Sequence, residues 1–313
     1  MELTADALIP PSATAPGVSA PGGIIAAADG RPARLQQRGL RHRLAVRRRH
    51  AAIQKQRLSL RPNVVHMSGI FGIRWSERRF VAALARRLEA DYTHLDWVGQ
   101  RGWHEALTHI HDNRLISHQV AAKLVAIKAA DPSRPLLVTC HSGGAGMLAF
   151  ALEVMVSSAG NATDGAPPRP VLDGVVMIAP ALSPQYDLSR ALARVGGTCL
   201  TLFSRHDGLA LGPGTSLFGT IDRRHVHAAG RVGFQRPAGA CSLAYAKLVE
   251  VPYTAAWLRR FGHAGGHAGG MGRRFATGYV APLLAEMAAR SIDAGHCVPA
   301  SEPVSTVSDC QVG

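Results

Sequence analysis

The chain has 313 residues, 47% of them apolar, a formal net charge of +14 and five cysteines. That apolar share suffices for one substantial core. No run approaches the roughly eighteen apolar residues of a membrane span and no basic-then-apolar order opens the chain, so neither a spanning segment nor a secretory signal is expected, and a cytoplasmic location is the expectation.

The charge is unevenly spread. Residues 1–62 hold eleven of the 35 Lys and Arg against three acids, leaving 24 against 18 for all the rest. Residues 1 to about 30 are rich in Ala, Pro, Gly and Ser, a composition that buries too little apolar surface to offset the entropy of ordering it, so residues 1–62 are expected to be a disordered, arginine-rich leader. Residues 31–61, centred on Arg47-Arg48-Arg49, are a candidate contact for nucleic acid or an anionic surface. They contain no Phe, Tyr or Trp on which bases could stack.

Order is expected over 63–292, beginning with the short apolar strand Asn63 to Met67. The glycine loop Ser68-Gly69-Ile70-Phe71-Gly72 follows, then a helix from about Ser76 with Phe80, Ala83, Leu84 and Leu88 on one face. Asp91 to Trp97 reads as a second strand. A polar stretch with Trp103, His104, His109 and His111 misses the H-E-x-x-H zinc spacing by one residue, and a helix with Ile116, Val120, Leu124 and Ile127 on its stripe leads to Asp131-Pro132-Ser133. Further strands are predicted from Pro135, over Val171 to Ile178, over Thr198 to Phe203 and over Lys247 to Val251. Helices are expected after the third strand, over Leu188 to Val195 and from Arg273 to about Arg290. This alternation predicts an α/β fold, a mostly parallel sheet covered by helices on both faces, whose site lies beyond the C-terminal strand ends. The glycine-rich stretch from Leu209 to Gly239 is too long for a simple connection and is a candidate wall of the substrate pocket. Residues 293–313 read as a disordered tail.

Within that scheme, one stretch carries the chemistry. The apolar run from Pro135 breaks into Cys140-His141-Ser142-Gly143-Gly144 and then into an apolar helix. A serine lifted out of a strand-to-helix turn needs small residues two positions away on each side, and Cys140 and Gly144 are small. A serine hydroxyl also needs an imidazole to take its proton and a carboxylate to hold that imidazole's tautomer. Asp207 directly follows the predicted strand ending at Phe203. His267 and His263 stand in the glycine-rich run after the last strand, and the glycines there are expected to leave both histidines mobile enough to reach the serine. Asp222 and His263 are the reserve candidates for acid and base.

The segment around Ser142 resembles the nucleophile elbow of the α/β-hydrolase family, G-x-S-x-G, with Cys140 in place of the first glycine. The family's order of serine, acid and histidine matches Ser142, Asp207 and His267. The resemblance implies an α/β-hydrolase core over residues 63 to about 290 and a serine hydrolase cleaving a small or medium carboxylic ester or thioester through an acyl-enzyme. It also implies an oxyanion hole from the N–H of Gly143 and one from the loop at Gly69 and Ile70. No cofactor and no metal are implied. Transfer of the acyl group to an alcohol or thiol would use the same residues.

Two other readings stay open. Gly144-Ala145-Gly146-Met147-Leu148-Ala149 fits a G-x-G-x-x-A dinucleotide fingerprint, although the next strand ends in Ala179-Pro180 rather than in an acid for the ribose. The alternative is thus a dinucleotide-dependent oxidoreductase, or else a non-catalytic binding protein built on the same fold. His141 is expected to pack or to line the substrate side.

Overall fold

The computed structural model describes residues 61–159, 170–208 and 214–294. Residues 1–60 of the expected leader, 31–60 of the anionic contact and 295–313 of the expected tail lie outside the described residues, whereas Asp293, the first residue of that tail, is the last of a helix.

Six strands form one sheet: β1 (Asn63–Met67), β2 (Asp91–His94), β3 (Leu136–His141), β4 (Gly174–Ile178), β5 (Cys199–Phe203) and β6 (Leu248–Pro252). Their order is β2-β1-β3-β4-β5-β6, and every neighbouring pair is parallel. Four long helices accompany them: α1 (Trp75–Leu88), α2 (Ile110–Ala130), α3 (Gly143–Ala159) and α4 (Ala281–Asp293).

The strands read as near-continuous apolar runs because both faces of the sheet are covered. On one face Val65, Met67, Leu136, Val138, Cys140, Val175 and Met177 pack with Leu124 of α2 and Met147, Leu148 and Phe150 of α3. On the other face Val64, Leu137, Val176, Ile178, Leu200 and Leu202 pack with Phe80 and Leu84 of α1, with Leu284 of α4 and with Phe275, which precedes α4. Alternate residues of one strand therefore serve two cores, which is the period-2 geometry of a pleated strand. The two edge strands are the exposed ones: Asp91, Tyr92 and Thr93 of β2, and Glu250 and Pro252 of β6, reach solvent.

The predicted elements differ from these in detail. The second strand ends at His94; beyond it the chain leaves the sheet, with Leu95, Trp97 and Val98 still buried. The polar stretch contains a short helix, Trp103–Thr108. The final helical segment is a short helix at Arg273–Phe275, a π turn at Ala276–Val280, then α4. A helix at Ala255–Phe261, ended by Gly262 at φ 72°, was not foreseen in the residue pattern because its seven residues bury only Trp257. The long segment after β5 contains the short helices Thr215–Phe218 and Ala229–Val232. Among the described residues no helix is long and apolar enough to cross a membrane.

The strand order reverses between β1 and β3, since β1 passes to β2 on one side and β3 lies on the other. Ligand sites of open α/β sheets sit at such a point, beyond the C-terminal ends of the strands. Here the loop after β1 and the turn after β3 face each other there.

One buried polar residue makes stability depend on pH. His66 on β1 is fully buried against Thr139, with 2.9 Å between Nδ1 and Oγ1. Burial, only partly opposed by Glu77, pushes its pKa down to about 3. The unfolded chain takes up a proton below about pH 6.5 that the native chain refuses, so stability is full above that value and falls as pH drops toward 3. Between pH 7 and pH 5 this one group is expected to remove about 2 kcal/mol. Urea unfolding at both pH values should show that His66→Gln, which cannot titrate, loses about that much less than the wild type; equal losses would contradict the assignment.

Candidate active site

Ser142 stands between β3 and α3 with φ at 53°, a left-handed backbone that costs a non-glycine residue on the order of 1–2 kcal/mol. Three backbone hydrogen bonds hold it there. Its N–H donates to the Ile178 carbonyl at 3.0 Å, and its own carbonyl accepts from the N–H groups of Ala145 and Ala181, both at 3.1 Å. The small neighbours have specific reasons. A Cβ on Gly144 would lie 2.4 Å from the Met67 carbonyl oxygen and 2.5 Å from that of Ser68, so only glycine lets α3 press against the end of β1. Cys140 fills a fully buried site beneath, its thiol 3.8 Å from the Val176 carbonyl.

Asp207 lies in the turn after β5, its N–H bonded to the Ser204 carbonyl at 3.0 Å and its side chain 2% exposed. Its Oδ2 is 2.6 Å from His267 Nδ1, and His267 Nε2 is 3.0 Å from Ser142 Oγ. A carboxylate only accepts, so the Nδ1–H donates to Asp207 and the free Nε2 lone pair accepts the serine hydroxyl proton. Burial lowers the pKa of His267; the hydrogen bond that its Nδ1–H donates to Asp207 opposes that shift and the nearby His141 adds to it.

The loop carrying His267 is packed rather than loose, contrary to the expectation that its glycines keep the histidines mobile. Gly265, at φ 82°, brings its backbone so near the β5 loop that a Cβ would sit 3.0 Å from both Ser204 Oγ and His206 Cβ. His263 is held apart from the serine. Its Nδ1 accepts the Gly265 N–H at 3.0 Å, and its ring is caged by Tyr253, Trp257 and Phe275 with centroids at 5.3, 5.4 and 4.9 Å. Burial takes its pKa down to about 4. Asp222 is occupied elsewhere, accepting from the Ser183 N–H at 2.9 Å, the Ser183 hydroxyl at 2.5 Å and the Thr220 hydroxyl at 2.6 Å. Both reserve candidates thus lie off the Ser142–His267–Asp207 line.

Gly69, Ile70 and Gly143 converge on the serine. A Cβ on Gly69 would be 3.1 Å from Ser142 Cβ and 3.6 Å from its Oγ, and one on Gly143 would meet Ile70 Cγ2 at 2.7 Å and Ile70 N at 3.6 Å. Gly143 opens α3, so its N–H belongs to the first turn, where helices lack intrahelical acceptors. The loop itself is fixed by the Trp97 indole N–H donating to the Ser68 carbonyl at 2.7 Å and by Ser68 Oγ at 2.7 Å from His94 Nε2.

A cavity of about 420 Å³ opens beside Ser142 and His267, lined also by Phe71, Arg74, Glu77 and Met271. The residue pattern gave no sign of Glu77. It follows the helix start by two residues, where a glutamate accepting the Arg74 N–H, here at 3.0 Å, reads as an ordinary helix cap. In the structure its other oxygen lies 2.8 Å from His141 Nδ1.

The dinucleotide fingerprint is differently used. Its glycines are contact points of α3: Gly144 on the β1 carbonyls, and Gly146, where a Cβ would meet Ile221 Cγ2 at 2.2 Å. Neither faces open space in which a pyrophosphate could lie. Cys140 and Cys199 are free and buried, Cys241 is free and exposed, and Cys297 and Cys310 lie outside the described residues.

A parallel sheet in this order, a serine at positive φ after β3, an acid after β5 and a histidine after the last strand together define the α/β-hydrolase fold, and this chain has it. No family model and no curated protein matches the chain. Among solved structures it is similar to a poly(3-hydroxybutyrate) depolymerase from Bordetella parapertussis (15% identity, 72% of this chain and 80% of that one, TM-score 0.44). It is also similar to the catalytic core domain of acetyl xylan esterase from Trichoderma reesei (12% identity, 74% and 97%, TM-score 0.34).

Proposed function

We propose that the chain is a serine hydrolase that cleaves a carboxylic ester or thioester through an acyl-enzyme on Ser142. The observation that carries this reading is the unbroken hydrogen-bond line from Asp207 through His267 to Ser142, ending in a cavity large enough for a small substrate. In the first step Ser142 Oγ bonds to the carbonyl carbon while its proton passes to His267 Nε2. The negative oxygen is held by the N–H of Gly143 and by the loop at Gly69 and Ile70. Collapse breaks the bond to the leaving oxygen or sulfur, which takes the proton from Nε2. Water then attacks the acyl carbon, gives a proton to Nε2, and the acid leaves as that proton returns to Oγ. Asp207 accepts the Nδ1–H throughout and stabilises the imidazolium. An alcohol or thiol in place of water makes the same site an acyltransferase.

The test is labelling with a fluorophosphonate, located by peptide mass. Label on Ser142 that is lost in Ser142→Ala is the expected result; a folded, intact protein with no label at Ser142 would overturn the reading. The same assay checks a pH prediction. His267 must be neutral to act, and its pKa is lowered from 6.5, so the rate of labelling should be flat at neutral pH and reach half its plateau below pH 6.5. A midpoint above 6.5 would contradict the buried environment of the ring.

A further inference from the structure

We propose that Glu77 and His141 form a positioning pair for the catalytic base: His141, held as an imidazolium by Glu77, anchors the backbone of His267 and opposes the protonation of its ring. This rests on the serine-hydrolase reading of the site.

The pair begins with the pleat of β3. Leu137, Thr139 and His141 alternate onto the face covered by α1, and Glu77 sits on α1, 2% exposed, at the level of His141. Glu77 Oε2 accepts the Arg74 N–H at 3.0 Å and Oε1 lies 2.8 Å from His141 Nδ1. His141 Nε2 lies 3.1 Å from the backbone carbonyl oxygen of His267. A carbonyl can only accept, so Nε2 carries a proton. The Nδ1 partner is a carboxylate whose pKa burial tends to raise but which the His141 and Arg74 contacts hold below its usual range. An ionised carboxylate also only accepts, so Nδ1 carries a proton too. Both ring nitrogens donate, and His141 is a cation.

That cation is 4.8 Å, ring to ring, from His267. Of the other titratable groups around the two rings, Asp207 and Glu77 are the ones that favour a proton on His267. His66, on β1, is neutral near pH 7, its pKa brought to about 3 by burial, and burial also lowers His94 at the end of β2. Arg74 lines the open side of the cavity, and Asp207 is bonded to the far nitrogen of His267. Two consequences follow for the base. Its main chain is tied to β3 and α1, the elements that also carry Ser142 and the loop at Gly69, so serine and base are held in one frame. Its protonated form is disfavoured by a like charge, which Glu77 offsets only in part.

The experiment uses the full chain and the rate of fluorophosphonate labelling against pH. Glu77→Gln removes the reason for His141 to stay charged while leaving an amide to bond its ring. Glu77→Gln with His141→Ala removes the anchor as well, and Glu77→Gln with His141→Gln puts back a donor for the His267 carbonyl without charge. The acid midpoint should rise by about half a pH unit or more in all three, since the lost cation outweighs the lost carboxylate. The plateau rate should fall about tenfold or more only in the alanine variant, because a small displacement of the base is amplified in the reaction. Midpoints and plateaus equal to wild type in every folded variant would overturn the proposal and leave the hydrolase reading standing. Absence of label on the wild type would instead remove the hydrolase reading. Nitrogen-15 shifts of the wild-type histidine rings decide the charge without any variant or turnover: at pH 7 His141 should show two protonated nitrogens, and a single-proton neutral ring would overturn the proposal.

Discussion

Asp207→Asn is expected to lower kcat for a small activated ester such as p-nitrophenyl acetate by about 10⁴-fold, with KM nearly unchanged. The Asp207 carboxylate selects the Nδ1–H tautomer of His267 because at 2.6 Å it can only accept. An asparagine can turn its amide N–H toward Nδ1, which moves the ring proton to Nε2 and points it at Ser142 Oγ, 3.0 Å away. The base would then have no lone pair for the serine proton. The effect belongs to chemistry rather than to binding, so it should appear in kcat, and near-UV circular dichroism should show the fold intact. An Asp207→Asn enzyme retaining more than about a tenth of wild-type kcat would mean that another carboxylate orients the base. Asp222 would not be that group, since both its oxygens are engaged by Ser183 and Thr220.

Gly144→Ala is expected to be the most damaging small substitution for stability, at about 3 kcal/mol or more. The added methyl would lie 2.4 and 2.5 Å from two successive backbone carbonyl oxygens, Met67 and Ser68, at the end of the β1 strand. Backbone in a six-stranded sheet cannot step aside as a side chain can, so α3 must lift from β1. The gain of about 1 kcal/mol from replacing a helical glycine is too small to compensate. Gly146→Ala is the internal comparison. Its methyl meets the Cγ2 branch of the buried Ile221, a side chain on a loop rather than sheet backbone, so the loss should be smaller by about 1–2 kcal/mol. Urea midpoints at constant slope measure both. If Gly144→Ala cost less than about 1 kcal/mol, the close packing of α3 on β1 would be wrong and the glycines would again be free for another role.

The residue order was informative wherever a side chain's environment follows from its immediate neighbours. Runs such as Val64-Val65 and Leu136-Leu137-Val138 announce strands buried on both faces because nothing polar interrupts them. The edge strand Asp91–His94 is less visible, since with one side open its residues need not be apolar, and the expectation ran on to Trp97. The short helix Ala255–Phe261 left no stripe to detect, as only Trp257 is buried.

Sequence alone determined the strand and helix alternation, the turn in which Ser142 is flanked by small residues, and the placing of Asp207 and two histidines after later strands. Those are local properties, carried by apolar runs and by glycine at sites where bulk is forbidden. Tertiary structure decided which groups meet. His267 and Ser142 are 125 positions apart and His141 and Glu77 are 64 apart, so no spacing rule links them. His267 rather than His263 faces the serine because Tyr253, Trp257 and Phe275 enclose His263 in an apolar cage, while His267 sits where the chain returns past the end of β3. Glu77 has the pattern of a helix cap, and only the parallel pairing of β1 with β3 sets α1 over His141 and gives that carboxylate a second bond.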